Sequence, residues 1–207
     1  MTTQEIQDAL VEAFERHACE AHPEWDAAKN SQDDFTRNLY CPRLDICVYP
    51  TNTNRHIAGN QDIDAALQRN QPLLAVLHSV SHRRQEPFDQ ILRSGNINPR
   101  CFLAVEIENS GSKKHMLGDI INAAFLGKFG IVVAVGQRQF RGFTRILEYL
   151  KFCVAVGKAQ ERFENVLLFE ATELLTALNN VAPNYSPPPP AASFGLRVEA
   201  DAAERLP

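Results

Sequence analysis

Apolar and polar positions recur along this chain with two distinct periods. Between residues 3 and 20, Ile6, Leu10, Phe14, His17 and Ala18 return at helical spacing, with acidic residues on the opposite face. This predicts an amphipathic helix ended by Pro23. Residues 21–40 are polar and read as irregular, with a short helix around Trp25. In RLDICVYP at 43–50, Leu44, Ile46 and Val48 alternate with Arg43, Asp45, Cys47 and Tyr49, the pattern of a strand bracketed by Pro42 and Pro50. Residues 51–60 are turn-rich, a short helix is predicted over Asp62–Arg69, and PLLAVLHSV at 72–80 fits a helix or a strand equally. Residues 81–100 are polar and basic, with a short helix near Phe88–Leu92.

The second half is more regular. CFLAVEIE at 101–108 reads as a strand, NSGSKK as a loop, and 113–127 as a helix. GIVVAVG at 130–136 is an apolar run between glycines, as expected of a buried strand. An amphipathic helix is predicted over 140–157, carrying Phe143, Ile146, Leu147, Leu150 and Val154, and ENVLLFEA at 164–171 reads as a further strand. Strand, helix, strand, helix, strand predicts an α/β fold with largely parallel pairing in this half. The pattern stops near residue 182. PNYSPPPPAAS opens a proline-rich linker and C-terminal tail at 183–207, expected to be extended.

Composition narrows the class. The 207 residues are 44% apolar and 22% charged, enough for one domain with a substantial core, here placed at 1–182. The net charge of −4 gives no global signal of a nucleic-acid partner, so any polyanion contact must come from local basic clusters. The five cysteines are odd in number and none form a C-x-x-C pair. They read as reduced, buried thiols of a cytoplasmic protein in preference to a zinc site. The N-terminus MTTQEIQDAL has no basic flank followed by an apolar stretch, so no signal peptide is expected. The longest apolar run, 123–135, holds Lys128 and two glycines, so no membrane span is expected either.

The candidate chemistry lies on two strands. Alternation sends Leu103, Val105 and Ile107 to one face of the 101–108 strand, and Phe102, Ala104, Glu106 and Glu108 to the other. Two carboxylates on an otherwise apolar face are costly to bury unpaired. Asp45 interrupts an apolar strand in the same way. If the strands are neighbours, Asp45, Glu106 and Glu108 converge on a divalent cation, Mg²⁺ or Mn²⁺. The alternative is that all three pair with Arg43, Arg100 or Lys113.

The string P-R-L-D at 42–45, then V-E-I-E at 105–108, then a helix and a strand, resembles the PD-(D/E)xK nuclease superfamily of restriction and DNA-repair enzymes. The resemblance covers about 100 residues in pieces. It implies a restriction-endonuclease-like core, a central mixed sheet flanked by helices, with an insertion at about 51–98. It also implies a hydrolase: a magnesium-dependent endonuclease that binds and cuts DNA, with a homodimer suited to cutting two strands. Asp45 matches the family's metal-ligating aspartate and Glu106 its second acidic ligand. Glu108 stands where the family usually has lysine. It becomes a third ligand or a general base, and Lys113 or Lys114 offers a displaced positive charge, with Lys114 favoured. The departure at Glu108 also admits a second function, a nuclease-fold binding or assembly module without catalysis.

Other residues carry weaker signals. Ser81-His82-Arg83-Arg84, with Arg93 and Arg100, fits a phosphate track or a solvated loop. Arg138, Arg141 and Arg145 read as helix surface first and as phosphate contacts second. Asp119 and Asn122 lie off the apolar face of their helix and read as a solvated face first and as a border of the site second, with Gly118 allowing a close backbone approach. His17 reads as a core histidine. Glu12 and Glu15 are poorly oriented to join the carboxylates, and Glu20 is the remaining acid that could come from the first helix.

Overall fold

The computed structural model describes residues 1–17, 19–26, 42–50, 56–83, 87–94, 96–159 and 163–181. The tail at 183–207 and the 51–55 turn therefore lie outside the described residues. The elements in order are α1 (Thr3–Arg16), β1 (Ala21–Asp26), β2 (Arg43–Pro50), α2 (His56–Val80), α3 (Phe88–Ser94), β3 (Cys101–Glu108), α4 (Lys113–Leu126), β4 (Gly127–Ala134), α5 (Gln137–Ala155), a 3₁₀ turn (Phe163–Asn165), β5 (Val166–Glu170) and α6 (Ala171–Asn180).

The five strands form one sheet in the order β1-β2-β3-β4-β5. β1–β2 and β2–β3 pair antiparallel, while β3–β4 and β4–β5 pair parallel. The sheet is thus mixed and flanked by helices. The parallel half follows from the helical crossovers α4 and α5, each returning the chain to the start of the next strand.

Two expectations change and one helix is new. Ala21–Asp26 is an edge strand, not irregular chain with a helix at Trp25; Pro23 is tolerated there because an edge strand needs only half its ladder. The short helix at 62–69 and the undecided segment at 72–80 are one 25-residue helix, α2, with Pro72 inside it. Residues 171–180 form α6, where Leu174, Ala177 and Leu178 are buried at helical spacing. Its N-terminus is closed by a capping box between Glu170 and Glu173, and that of α1 by one between Thr2 and Glu5.

Two cores sandwich the sheet. On one side Ile6, Leu10 and Phe14 of α1, Leu74 and Leu77 of α2, and Leu174 and Leu178 of α6 pack against Ile46, Val105, Ile131 and Phe169. On the other, Met116, Ile120 and Ala123 of α4 and Phe143 and Leu147 of α5 pack against Val132, Ala134, Val166 and Leu168. Each such side chain contributes roughly 1.5–3 kcal/mol when fully buried. Gly130 lets α4 come close, since a Cβ there would sit 2.8 Å from the Ala123 backbone. Phe102 departs from the parity expected of it. It joins the first core, packed edge-on against Tyr49 and Phe129, where Tyr49 takes φ 51° opposite it.

His17 is buried and its Nε2 lies 2.6 Å from the Leu178 carbonyl, as a core histidine should. Cys19, Cys47, Cys101 and Cys153 are free and buried, and Cys41 lies outside the described residues. Among the described residues no helix is long and apolar enough to cross a membrane.

Candidate functional site: a buried carboxylate cluster

The β2–β3 ladder brings two of the acids together. Cys47 pairs with Ala104 and Ile46 with Val105, which carries Asp45 to the position opposite Glu106. The backbone ladder stops there, and the side chain replaces it: the Ile107 N–H donates to Asp45 Oδ2 at 2.6 Å. Glu106 is 4% exposed and lies level with Val132 on the face covered by α4. From α4, Asn122 Nδ2 donates to Glu106 Oε1 at 3.0 Å. Asp119 lies one turn earlier on the same helix.

These carboxyls act on one another. Burial pushes Glu106 well above the usual carboxylate range, the negative charge of Asp45 pushes it further, and the Asn122 amide opposes both. Asp45 is raised chiefly by burial, against the pull of the Ile107 N–H; Glu24 and Glu108 raise it further and Arg43 lowers it. Asp119 is pushed up to about 7, first by burial and then by Glu108 and Asp45. Asp119 and Asn122, expected on a solvated face, are thus part of the cluster. The α4 face that looks polar in the sequence is the one laid over the carboxylates.

Glu108 behaves differently. It is 8% exposed, and its Oε1 accepts from the backbone N–H groups of Ser110, at 2.7 Å, and Gly111. The carboxylate folds back on its own loop, and a Cβ at Gly111 would lie 1.9 Å from its Oε2. A side chain at position 111 would push the carboxylate out of this place. The loop is braced by α5, where buried Gln139 donates to the Asn109 carbonyl at 2.5 Å.

The first helix contributes an amide where an acid was sought. Gln7, 2% exposed, donates through Nε2 to the Asp45 carbonyl at 2.6 Å and to Glu24 Oε1 at 3.2 Å. Glu24 itself stands across from Asp45 in the β1–β2 register, takes φ 51°, and pairs with Arg43 at 2.8 Å. Glu12 pairs with Arg16 on the surface, Glu15 is exposed, and Glu20 contacts His22. None of these three joins the cluster. Gln7 borders an apolar stripe, which is a signal only once its neighbour Asp45 is known.

The basic residues are not where the carboxylates need them. Lys113 and Lys114 are exposed on the first turn of α4, and among the described residues neither ammonium bonds or pairs with the carboxylates. The displaced-lysine expectation is therefore not met by this arrangement, because the turn after Glu108 carries both side chains outward. Gly118 does not bring backbones together: a Cβ there would meet nothing within 4 Å, so this side of α4 next to Asn122 opens on free space. The 81–83 segment is structural. His82 pairs with Glu173 at 2.7 Å and packs on Phe140, while Arg83 donates to the Phe163 and Val166 carbonyls. Arg93 pairs with Asp89. Arg84 lies outside the described residues.

Among the described residues no three Asp, Glu, His or Cys side chains converge closely enough to hold an ion as they stand. Two shallow cavities of about 290 and 250 Å³ lie along α5, against Arg83, Leu147 and Lys151, and take in none of the carboxylates. The carboxylates remain the candidate site, because strongly interacting acids in one buried place need a counter-charge and cavity shape supplies none. The chain matches no family model, no curated protein and no solved structure.

Proposed function

We propose that this protein is a divalent-metal-dependent nuclease that hydrolyses DNA phosphodiester bonds with Asp45, Glu106 and Asp119 as its working carboxylates. The observation that carries this reading is the gathering of these acids in one buried place, where burial first and their mutual charge second raise them, and where among the described residues Arg43 is the one cation acting on them. A hard cation is the natural partner of such a set. The donor set fits Mg²⁺ or Mn²⁺: all oxygen, anionic, and beside the open space at Gly118. The mixed sheet, the helix before it and the α4 crossover are compatible with the restriction-endonuclease-like core that the P-R-L-D and V-E-I-E strings suggest.

Asp45 and Glu106 would be the ligands. When bound, the ion would acidify a water and offset charge on a phosphate. The chain's own residues do the rest. Gln7 and the Ile107 N–H fix Asp45, and Asn122 orients Glu106. Asp119, titrating near neutrality, can take a proton from a water. That moves the base role from Glu108 to Asp119, since Glu108 already serves its own loop.

One observation favours the second reading, a binding or assembly module without catalysis. Glu108 is folded back and Lys113 and Lys114 are exposed, so among the described residues no cation from α4 is bonded to the cluster. Cleavage of linear and circular DNA in Mg²⁺ and Mn²⁺ separates the two. The nuclease reading expects cutting by the wild type and a loss of at least a hundredfold in Asp45→Ala. DNA binding without any metal-dependent cutting would install the second reading. Equal cutting by wild type and Asp45→Ala would remove the cluster from the reaction.

A further inference from the structure

The outer face of α5 carries a stripe that the carboxylate site does not use. Arg138, Arg141, Arg145, Tyr149, Phe152 and Val156 recur at steps of three and four, so they share one side of the helix. The first three are exposed and have no ion-pair partner among the described residues. The last three are 63%, 55% and 48% exposed, unusual for large apolar side chains that recur together. The stripe is thus basic along its first half and aromatic or aliphatic along its second. An antiparallel second copy would set the arginines against the apolar half, with Glu148 at its edge as the one nearby acid to meet three arginines.

We propose that the chain's own residues 185–201 dock along this stripe, with the proline run Pro187–Pro190 on Tyr149, Phe152 and Val156, and Glu199 and Asp201 on Arg141 and Arg145. Three observations fit that occupant. A proline run is held near the polyproline II conformation at little entropic cost, and exposed aromatic rings are what such segments dock on. The acidic residues follow the prolines in the order in which the arginines follow the aromatics, read from the C-terminal end of α5. The route is short enough. α5 leads from β4 into the start of β5, and α6 returns toward that same end, where Leu178 meets His17 at the close of α1. The chain past Val181 therefore begins at the end of the sheet where the apolar half of the stripe lies. Six to nine residues reach up to about 20–30 Å, enough to round the β5 edge. Phe152 to Arg141 is about 17 Å along the helix, well within the span of the residues between Pro190 and Asp201.

The proposal does not depend on the carboxylate reading. Its test is trypsin cleavage after Arg197 in the full chain, followed by mass spectrometry of the released peptides that begin at Val198. Docking predicts slow cleavage in the wild type and at least fivefold faster cleavage in Tyr149→Ser/Phe152→Ser, in Arg141→Glu/Arg145→Glu and in Pro188→Gly/Pro189→Gly. Because the substituted α5 side chains are exposed, thermal melting should fall by no more than about 2–4 °C, the loss of the docking itself, which separates undocking from unfolding. The protection should not change on tenfold dilution. Equal cleavage rates in the wild type and all three variants would overturn the proposal. So would protection that fades on dilution, which would place the tail on a second copy.

Discussion

Replacing Asp119 by asparagine tests the electrostatics of the carboxylate cluster without touching the apolar core. The folded protein raises this carboxyl from an ordinary 3.8 to about 7. The folded state therefore binds its proton more tightly than the unfolded chain does. Stability on this account is full below about pH 4 and is lost as the pH rises through 7. Each unit corresponds to about 1.4 kcal/mol, which sets a ceiling of about 4 kcal/mol. Asp119 is part-exposed, so solvent screening brings the expected effect to about 2 kcal/mol. Urea unfolding at pH 4 and pH 8, read by circular dichroism, measures it. Asp119→Asn should be about 2 kcal/mol more stable than the wild type at pH 8 and within about 0.5 kcal/mol of it at pH 4. An asparagine variant no more stable than the wild type at pH 8 would show that Asp119 is not held against its neighbours, and the cluster would lose a member.

Gln7→Ala removes two hydrogen bonds from a buried amide and strands the Asp45 carbonyl, so urea unfolding should show a loss of about 1–3 kcal/mol; a loss below 0.5, on the order of a surface change, would mean that α1 does not brace the cluster. Gly111→Ala should drive the Glu108 carboxylate off its two N–H donors and cost about 1–3 kcal/mol in the same assay, whereas an unchanged midpoint would show that the loop is free to move. Phe143→Ala, at a fully buried position under α5, should cost about 3–5 kcal/mol, and a smaller loss would point to a loosely packed second core.

Much of this was readable in the sequence wherever one period dominated. The strands at 43–50 and 101–108 and the helices α4 and α5 show it: the helices return their buried residues at 3.6-residue spacing, and β3, buried at all eight positions, reads as one apolar run broken by its two carboxylates. The readings failed where burial is partial or a local cue misleads. In β1 only Ala21 and Trp25 are buried, four residues apart, which imitates a helix. Pro72 divides α2 in the sequence although the helix runs through it. The α6 pattern was legible in Leu174, Ala177 and Leu178, with Glu173 as its capping signal, but was hidden behind the strand that ends at Glu170. Of the site, strand parity gave the shared face of Glu106 and Glu108. It could not give the neighbour relation of β2 and β3, which are separated by α2 and α3. Gln7 was therefore beyond it, and Asp119 and Asn122 could be read only as a border of the site second to a solvated face, since each acquires its role from a contact across the fold. The same limit explains Glu108 and Lys114, whose directions are set by the tight Ser110–Gly111 turn rather than by the strand.

The central claim, that these carboxylates take a divalent cation, is tested most directly by titrating Mn²⁺ into the metal-free protein at pH 8 by calorimetry, with Asp45→Asn/Glu106→Gln as the comparison. The account predicts saturable binding by the wild type, release of protons as Glu106 ionises, and at least a tenfold weaker affinity in the double variant. Absence of binding by a folded wild type, or binding that the double variant retains in full, would contradict it.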